Sequence, residues 1–477
     1  MLDKNTLDEL SRIVGSENLL TSTEDLACYA YDATPLIGHR PDAVVKPGST
    51  AEVSAILKLA NQVGFKVVPR GSGTNLSGGT VPIEGGVIMQ LTRMDRILEI
   101  DAENLTATVE PGVITSQLHA EVEALGLFYP PDPGSMTIST MGGNVAECAG
   151  GLRGLKYGVT KDYVMGLEVV LPTGEVISVG GKNVKDVAGY DLTRLMVGSE
   201  GTLGVVTRII VKLIPYPEAK RTLLALYRGV GDAGRTVSAI IAQKVIPATL
   251  EFLDAVTLRC IEDYVHIGLP LDVGAVLLIE VDGVPPVVEA DSAKVERICH
   301  EHGALQVQVA ADEAEGRRLA TARRSALAAL ARARPTTILE DATVPRSRVA
   351  EMVEAVEGIA RKHNLTIGTF GHAGDGNLHP TILTDERDED EMLRVERAVD
   401  EIFRTAISLG GTVSGEHGIG MAKAPFLPLQ MNAATLETMR RLKRALDPNN
   451  VLNPGKLFSP GELSLQDGDR MVTTYGR

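Results

Sequence analysis

The chain has 477 residues, of which 44% are hydrophobic, so it is long enough to form two or three domains with buried cores. Its formal net charge of −15 argues against a nucleic-acid partner. Residues 1–15 lack a secretory signal and no apolar run approaches about 18 residues, so we expect no membrane span. The four cysteines are widely spaced without a CxxC pair, which argues against an iron–sulfur cluster and favours a reducing compartment.

The first 215 residues combine short strands with helices and are very rich in glycine, which indicates a mixed α+β arrangement. Residues 1–35 predict a helix followed by an arm. The stretch Thr50–Val63 predicts an amphipathic helix with Thr50 as its N-cap. FKVVPR at 65–70 predicts a strand, and two prolines within 214–218 mark a domain boundary.

Beyond residue 218 the pattern changes to strands that alternate with long helices. The apolar sequences TLLALY and GAVLLIEVDG predict strands. Helical periodicity predicts five long helices, which are Val230–Gln243, Pro286–His302, Glu313–Arg334, Arg346–His363 and Glu389–Ser408. A last helical stretch ends before Pro448, and the tail after Phe458 is polar.

Three glycine-rich segments occur at 69–79, 130–158 and 198–207. The first, PRGSGTNLSGG, follows a strand but matches neither the P-loop nor the dinucleotide fingerprint, because Gly79 and Leu76 stand where Lys and Gly are needed. Its backbone N–H groups suit a pyrophosphate. Four side-chain donors accompany them, and these are Ser72, Thr74, Asn75 and Ser77. The alternative for one such segment alone is a surface loop, but three of them predict an extended phosphorylated or planar ligand.

Two histidines flank a tight turn in GHAGDGNLH at 371–379, and SGEHGIG follows at 414–420. With Asp375-Gly376 as a two-residue hairpin loop, His372 pairs with His379 and both imidazoles share one face. Such a pair suits one metal ion, with Glu416 as third ligand and an open position for catalysis. Two histidines at this spacing also arise by chance, so the alternative is a hairpin that binds no metal.

Taken in order, PRGSGTNLSGG, PDPGS, GGNVAECAGG and GSEGTLGVVT resemble the FAD-binding half of the vanillyl-alcohol-oxidase/p-cresol-methylhydroxylase (PCMH) superfamily. GHAGDGNLH, SGEHGIG and NPGKLF at 453–458 are similar to its glycolate oxidase and D-lactate dehydrogenase branch. The resemblance implies an α+β protein with a two-subdomain PCMH-type FAD-binding domain, a cap domain with an antiparallel sheet, and a C-terminal helix that returns to the flavin. The implied domains are an N-terminal helix and arm at 1–37, the FAD-binding domain at 38–217, the substrate and cap domain with the metal site at 218–425, and a C-terminal helical segment at 426–477 that packs on the FAD-binding domain.

The resemblance also implies which residues contact FAD. They are Arg70, Gly71, Ser72, Gly73, Thr74, Asn75, Leu76, Gly78, Pro133, Gly134, Ser135, Thr140, Gly142, Gly143, Asn144, Gly150, Gly204, Val205 and Asn453. Some members of the superfamily attach the flavin through a histidine in the first loop. That loop contains no histidine here, so we expect FAD to be bound non-covalently.

Related D-2-hydroxyacid dehydrogenases bind a divalent metal, usually zinc, through two histidines and a glutamate, which implies His372, His379 and Glu416 as ligands here. The next residue, His417, is the implied catalytic base. The metal would assist the reaction by holding the substrate hydroxyl and lowering its pKa.

The same relatives bind the substrate carboxylate through the arginine of a W-x-x-R pattern. Here the pattern has Ala320 in place of the aromatic residue, which implies Arg323 as the catalytic anchor and leaves Arg324 as the alternative. Relatives that act on 2-hydroxyglutarate carry a lysine two residues before an aspartate in the next strand. Leu339 precedes Asp341 in that position, which argues against a dicarboxylate substrate.

The implied function is an FAD-dependent D-2-hydroxyacid dehydrogenase that oxidises D-lactate or glycolate to the 2-oxoacid by hydride transfer to flavin N5. Its substrate is a small 2-hydroxy monocarboxylic acid. Its electrons would pass to an iron–sulfur subunit, an electron-transfer flavoprotein, a cytochrome or a quinone. We expect a cytoplasmic protein, or one peripheral to the membrane through a partner subunit. The alternatives are a non-catalytic flavin subunit of a larger complex and a metal-dependent hydrolase without flavin.

Overall fold

The computed structural model describes residues 2–458 and divides them into two compact units. The first unit contains residues 2–149, 159–216 and 416–458, and the second contains residues 150–158 and 217–415. No helix within the described range is long and apolar enough to cross a membrane. The predicted polar tail after Phe458 lies outside the described residues.

The first unit begins with a small sheet whose strands are β1 (Leu19–Leu20), β2 (Ala43–Val45), β3 (Val67–Arg70) and β4 (Val87–Gln90), in the order β1-β2-β4-β3. Strands β2, β4 and β3 are parallel, whereas β1 is antiparallel to β2. The helices of this region are α1 (Lys4–Val14), α2 (Thr23–Cys28) and α3 (Thr50–Val63). The predicted bounds of α3 are confirmed, but its N-cap is Ser49, whose hydroxyl accepts the N–H of Glu52, so the prediction of Thr50 was wrong by one residue.

A second, antiparallel sheet follows in the same unit, in the order β5-β6-β10-β8-β9. The strands of this region are β5 (Ile97–Asp101), β6 (Thr106–Val109), β7 (Leu127–Phe128), β8 (Val164–Val170), β9 (Val176–Gly180), β10 (Val205–Lys212) and β11 (Ile214–Pro215), of which β7 pairs with β11. Its helices are α4 (Thr115–Glu123), α5 (Met141–Glu147), α7 (Thr160–Tyr163) and α8 (Leu192–Met196), and α6 (Gly154–Tyr157) belongs to the second unit. Two sheets in one unit are the two subdomains that the resemblance implies.

The second unit is built on an eight-stranded antiparallel sheet in the order β15-β12-β14-β13-β18-β19-β16, with β17 beside β19. Its strands are β12 (Ala219–Tyr227), β13 (Thr249–Asp254), β14 (Ala275–Gly283), β15 (Ala304–Val309), β16 (Thr336–Leu339), β17 (Ala342–Thr343), β18 (Thr366–His372) and β19 (Asn377–Thr384). An antiparallel sheet in this part of the chain is what the resemblance to a cap domain implies.

The helices of the second unit are α9 (Val230–Ala242), α10 (Ala255–Val265), α11 (Pro285–Glu301), α12 (Glu313–Arg324), α13 (Ala326–Ala333), α14 (Val349–His363) and α15 (Glu389–Ser408). Four of the five predicted long helices are confirmed within a few residues. The fifth, predicted as one helix over 313–334, is two helices that meet at Ser325. The periodicity continues across this break, so the apolar pattern alone did not reveal it.

The hairpin of β18 and β19 has a longer turn than predicted. His372 pairs with Asn377, and His379 lies opposite Phe370, so the predicted pairing of the two histidines was wrong. A two-residue type I′ turn needs positive φ at both loop positions, but in the Asp375-Gly376 pair only Gly376 has it, at 87°. The loop therefore spans four residues. The observed pairing is shifted by two residues from the predicted one. Because side chains alternate between the two faces of a strand, both histidines still point to the same face.

The chain then returns to the first unit, which contains α16 (Leu427–Gln430) and α17 (Ala433–Leu446). After α17, Leu452 forms a parallel bridge with Val67 of β3. In the last turn of α17, Lys443 pairs with Asp447 at 2.5 Å and donates to the carbonyls of Thr202 and Leu452. These buried contacts attach the C-terminal segment to the sheet formed by the beginning of the chain.

Candidate active site

Two buried histidines of the second unit lie beside each other on the hairpin. His372 is the last residue of β18, and His379 is the third residue of β19. Their ring centroids are 5.3 Å apart and the ring planes are nearly perpendicular, at 87°. The ring of Phe370 lies 5.2 Å from that of His379 and forms an apolar wall. The two imidazoles are close enough to bind one ion.

A buried glutamate that the sequence analysis did not identify holds one of these histidines. Glu251 lies in β13, and its Oε1 is 2.8 Å from Nδ1 of His372. Burial raises the pKa of Glu251, but the charge of Arg323 and the hydrogen bond with His372 outweigh it and hold that pKa below its usual range. The carboxylate therefore accepts a hydrogen bond from the N–H at Nδ1, so Nε2 of His372 is the nitrogen suited to bind a metal ion.

Arg323, the predicted carboxylate anchor, lies in the last turn of α12 and is 5% exposed. Its Nη2 is 2.5 Å from Oε2 of Glu251, and its guanidinium lies over the ring of Phe370 at 4.7 Å. The ion pair is close but not aligned as a hydrogen bond, and Nε and Nη2 of Arg323 have no hydrogen-bond acceptor among residues 2–458. A buried guanidinium with unused donors is costly, and an incoming carboxylate would satisfy them.

A polar network surrounds the second histidine. Nδ1 of His379 is 3.8 Å from the fully buried carboxylate of Asp341. That carboxylate accepts hydrogen bonds from the side chain of Asn377, the hydroxyl of Ser414 and the N–H of Gly415. The end of the second unit, next to Glu416 in sequence, is thereby fixed close to the histidine hairpin.

Glu416 and His417 are the first residues of the returning segment of the first unit. Nε2 of His417 is 3.8 Å from Oε1 of Glu416. Just beyond them, the carboxylate of Glu200 accepts the N–H groups of Ile419 at 2.7 Å and Gly420 at 2.6 Å. Burial raises the pKa of Glu200, and these two hydrogen bonds oppose that effect. Glu200 belongs to the third glycine-rich segment and holds the loop that follows the predicted base.

The donors of the second unit fit a divalent metal. His372 and His379 each offer an imidazole nitrogen, and a carboxylate holds the other nitrogen of His372, as is typical of metal-binding histidines. Glu416 as third ligand and His417 as base stay predictions.

The glycine-rich loops of the first unit lie against each other. The hydroxyl of Ser72 donates to the carbonyl of Ile138, and a side chain at Gly71 would overlap Oγ1 of Thr140. Gly73 has φ of +71°, and a side chain there would overlap the guanidinium of Arg70. By contrast, Gly134 has no atom of the described residues within 4 Å of where a Cβ would stand. Closely packed backbone beside open space fits an extended cofactor such as FAD.

Several predicted FAD contacts have structural partners of their own. Arg70 donates to the carbonyl of Tyr31, and the side-chain amide of Asn75 donates to Asp32. With Ser72 engaged as well, two of the four predicted side-chain donors are used within the protein. The hydroxyl of Ser77 is fully buried and has no hydrogen-bond partner in the described part of the chain.

The remaining predicted contacts are spread over six places. Thr74, Leu76 and Gly78 complete the first loop, and Pro133 and Ser135 form a turn closed by the N–H of Met136. Thr140 caps α5, which contains Gly142, Gly143 and Asn144. Gly204 and Val205 lie where β10 meets β8, and Asn453 donates to the carbonyls of Gly79 and Glu200. Gly150 begins the short segment assigned to the second unit.

Comparison with known proteins identifies the family. A model of the FAD binding domain matches residues 41–180, and a model of the C-terminal domain of FAD linked oxidases matches residues 216–457. Glycolate oxidase subunit GlcD of Bacillus subtilis is 59% identical over 459 residues, which cover 96% of this chain and 98% of the relative. The chain belongs to the FAD-linked oxidase family. It is therefore an FAD-linked oxidoreductase, as the resemblance implied.

A second relative and a solved structure are also similar to this chain. D-lactate dehydrogenase of Anaerostipes hadrus is 36% identical over 459 residues, covering 93% of this chain and 95% of that protein. A crystal structure of p-cresol methylhydroxylase with substrate bound has a TM-score of 0.79 at 17% identity, covering 95% of this chain and 96% of that one. This likeness confirms the PCMH-type fold.

Proposed function

We propose that this protein is a dehydrogenase of small D-2-hydroxy monocarboxylic acids, with D-lactate or glycolate as substrate and FAD as electron acceptor. The buried, incompletely hydrogen-bonded guanidinium of Arg323 beside two histidines is the observation that carries the proposal. Relatives named glycolate oxidase and D-lactate dehydrogenase support the same substrate class.

Arg323 would bind and orient the substrate through its carboxylate. Nε and Nη2 lie on one edge of the guanidinium, so two parallel hydrogen bonds to the two carboxylate oxygens satisfy both donors. The ring of Phe370 excludes water from one face of the group. A carboxylate held by two hydrogen bonds has a defined orientation, and this fixes the position of the α-carbon attached to it.

The substrate is expected to have one carboxylate. Leu339, at the end of β16, packs against the apolar cluster that contains Leu330, Phe370 and Leu383. A second carboxylate next to this cluster would lose its hydration without gaining a cation, which costs several kcal/mol. Dicarboxylic 2-hydroxyacids are therefore poor substrates under this proposal.

His372, His379 and Glu416 would hold a divalent metal, with zinc as the first candidate, and such an ion supplies a Lewis acid for a hydroxyl oxygen. His417 would accept the hydroxyl proton, because an imidazole titrates near neutral pH. The first unit would bind FAD non-covalently, and that cofactor would supply the hydride acceptor. The electrons would then pass to a partner protein or a quinone, and the naming of relatives as subunits supports a partner protein.

A substrate panel tests the proposal. The purified protein, with an artificial dye as electron acceptor, should oxidise glycolate or D-lactate much faster than L-lactate or D-2-hydroxyglutarate. Acid precipitation should release all the yellow flavin into the supernatant. A colourless preparation that binds no added FAD, or a yellow one that oxidises none of these acids, would refute the proposed function.

A further inference from the structure

One buried carboxylate contacts both the substrate anchor and a predicted metal ligand. Phe252 of β13 pairs with Gly371 of β18, so the antiparallel register places Glu251 opposite His372. Oε1 of Glu251 is 2.8 Å from the imidazole, and Oε2 is 2.5 Å from Nη2 of Arg323. The side chain of Glu251 is 0% exposed, so water does not screen either contact.

We propose that Glu251 is a positioning residue that sets His372 for metal binding and Arg323 for substrate binding through a single carboxylate. The inference deepens the proposed function and rests on it. No sequence motif points to this residue, since it lies 121 positions before His372 in the chain.

The first half of the role concerns the tautomer of His372. A carboxylate oxygen only accepts hydrogen bonds, so Nδ1 of His372 carries the proton and Nε2 keeps the lone pair that a metal needs. The contact also fixes the rotation of the ring. Loss of such an outer carboxylate typically weakens metal binding by about 10–100-fold.

The second half concerns the charge beside Arg323. Glu251 neutralises the guanidinium through its contact with Nη2, and within residues 2–458 neither Nε nor Nη2 makes an aligned hydrogen bond. The carboxylates of Glu251 and of the substrate then share one cation and repel each other. Glu251 should therefore weaken the binding of the acid while it holds the guanidinium of Arg323 in the orientation that the reaction needs. A positioning role therefore predicts that loss of Glu251 lowers both KM and kcat, whereas a packing role does not predict a lower KM.

Two variants of the full-length FAD-loaded protein test the inference. Glu251→Ala removes both contacts, whereas Glu251→Gln keeps the shape and an amide oxygen that accepts from Nδ1 of His372. Asp254→Asn is the matched control, because Asp254 lies in the same strand and is equally enclosed but bonds only to the N–H groups of Thr257 and Thr369 among its hydrogen bonds to described residues. The measurements are zinc affinity by chelator competition, and KM and kcat for D-lactate at saturating zinc.

Glu251→Ala should weaken zinc binding by about 10–100-fold, and Glu251→Gln should weaken it less because the amide oxygen still accepts the hydrogen bond from Nδ1–H of His372. At saturating zinc, both variants should show a lower KM together with a lower kcat. The guanidinium of Arg323 then binds the acid more tightly, but its orientation is no longer fixed. Asp254→Asn should leave zinc affinity and KM unchanged. Flavin absorbance checks the fold, and Glu251→Gln answers the question if Glu251→Ala does not fold.

Unchanged zinc affinity in Glu251→Ala, when His372→Ala has lost zinc, would overturn the inference while leaving the proposed function intact. A KM that rises in both variants would reduce Glu251 to a packing role and would also overturn it. If the wild type binds no zinc, the metal part of the proposed function fails and this inference fails with it.

Discussion

At the scale of single residues, Arg323 has the clearest consequence for activity. Arg323→Lys keeps the charge next to Glu251 but loses the planar fork, so the variant should fold and still bind the acid poorly. We expect KM to rise and kcat to fall, with kcat/KM reduced about 10²–10³-fold, since one partner of a buried charged pair is worth roughly 2–5 kcal/mol. Steady-state kinetics with D-lactate measure both constants.

The neighbouring arginine provides the control for that experiment. Arg324 is half-buried and was the alternative anchor in the sequence. Arg324→Lys should leave KM and kcat close to those of the wild type. The opposite result, a large effect at Arg324 and none at Arg323, would exchange the two assignments.

Leu339 determines which acids are accepted under the proposed function. Leu339→Lys places a cation next to the apolar cluster, so it should raise kcat/KM for D-2-hydroxyglutarate and narrow its gap to D-lactate. The ratio of the two kcat/KM values is the measurement. Leu339→Met, which keeps the side chain apolar at similar volume, should leave that ratio unchanged. A wild type that prefers 2-hydroxyglutarate would show that another cation reaches the pocket.

At the scale of elements, the first glycine-rich loop depends on its backbone conformation. Gly73→Val meets both a positive φ of +71° and overlap with Arg70, so the loop after β3 should be displaced and the protein should be purified without FAD. Gly126→Val is a matched control, because Gly126 has the same φ of +71° and no atom of the described residues within 4 Å of its Cβ position. The ratio of flavin to protein absorbance measures the outcome. If Gly126→Val is also colourless, backbone strain in general, and not displacement of the loop after β3, explains the loss of FAD.

Asp254 links two elements, since it caps α10 and also accepts the N–H of Thr369 in β18. Burial raises its pKa to about 6, well above the value of about 3.9 for an unfolded chain. The folded state therefore binds more protons than the unfolded state between these values, and this carboxyl lowers stability as pH rises from about 4 to 6. Below pH 4 both states are protonated and the effect is absent.

Asp254→Asn removes this titration. The free energy of unfolding from urea titrations at pH 4, 5, 6 and 7 should therefore fall less with rising pH in the variant than in the wild type. All other carboxyls are common to both proteins and cancel in the comparison. Parallel curves for the two proteins would contradict the raised pKa.

At the scale of the whole molecule, the C-terminal segment closes the first unit on its own beginning. Asp447→Ala leaves the buried ammonium of Lys443 without a counter-ion, which costs about 3–5 kcal/mol. The double variant Lys443→Met with Asp447→Ala should recover part of that loss. Calorimetry should show the thermal transition of the first unit lowered and flavin released earlier. Glu437→Ala, which breaks the solvent-accessible ion pairs with Arg441 and Arg444 in the same helix, should change the melting temperature little.

Much of the fold followed from local patterns. Four of the five long helices of the second unit, the bounds of α3 and the strand of FKVVPR were all readable from periodicity, because each of these elements buries one regular face. The glycine-rich motifs were specific enough to indicate the FAD-linked oxidase family. The periodic elements and the motifs each depend on residues that are near each other in sequence. Such local patterns can be recognised from a single sequence.

The tertiary structure decided the remaining features. The hairpin register depends on the φ angle of Asp375, and the break at Ser325 depends on how α12 and α13 pack, neither of which hydrophobic periodicity records. Glu251 lies between the apolar residues Leu250 and Phe252 in sequence, and only the pairing of β13 with β18 brings it to His372. The sequence by itself determined which kinds of chemical group are present and which family holds them. Strand register and burial determined which groups touch, because contacts between distant segments depend on packing and not on spacing along the chain.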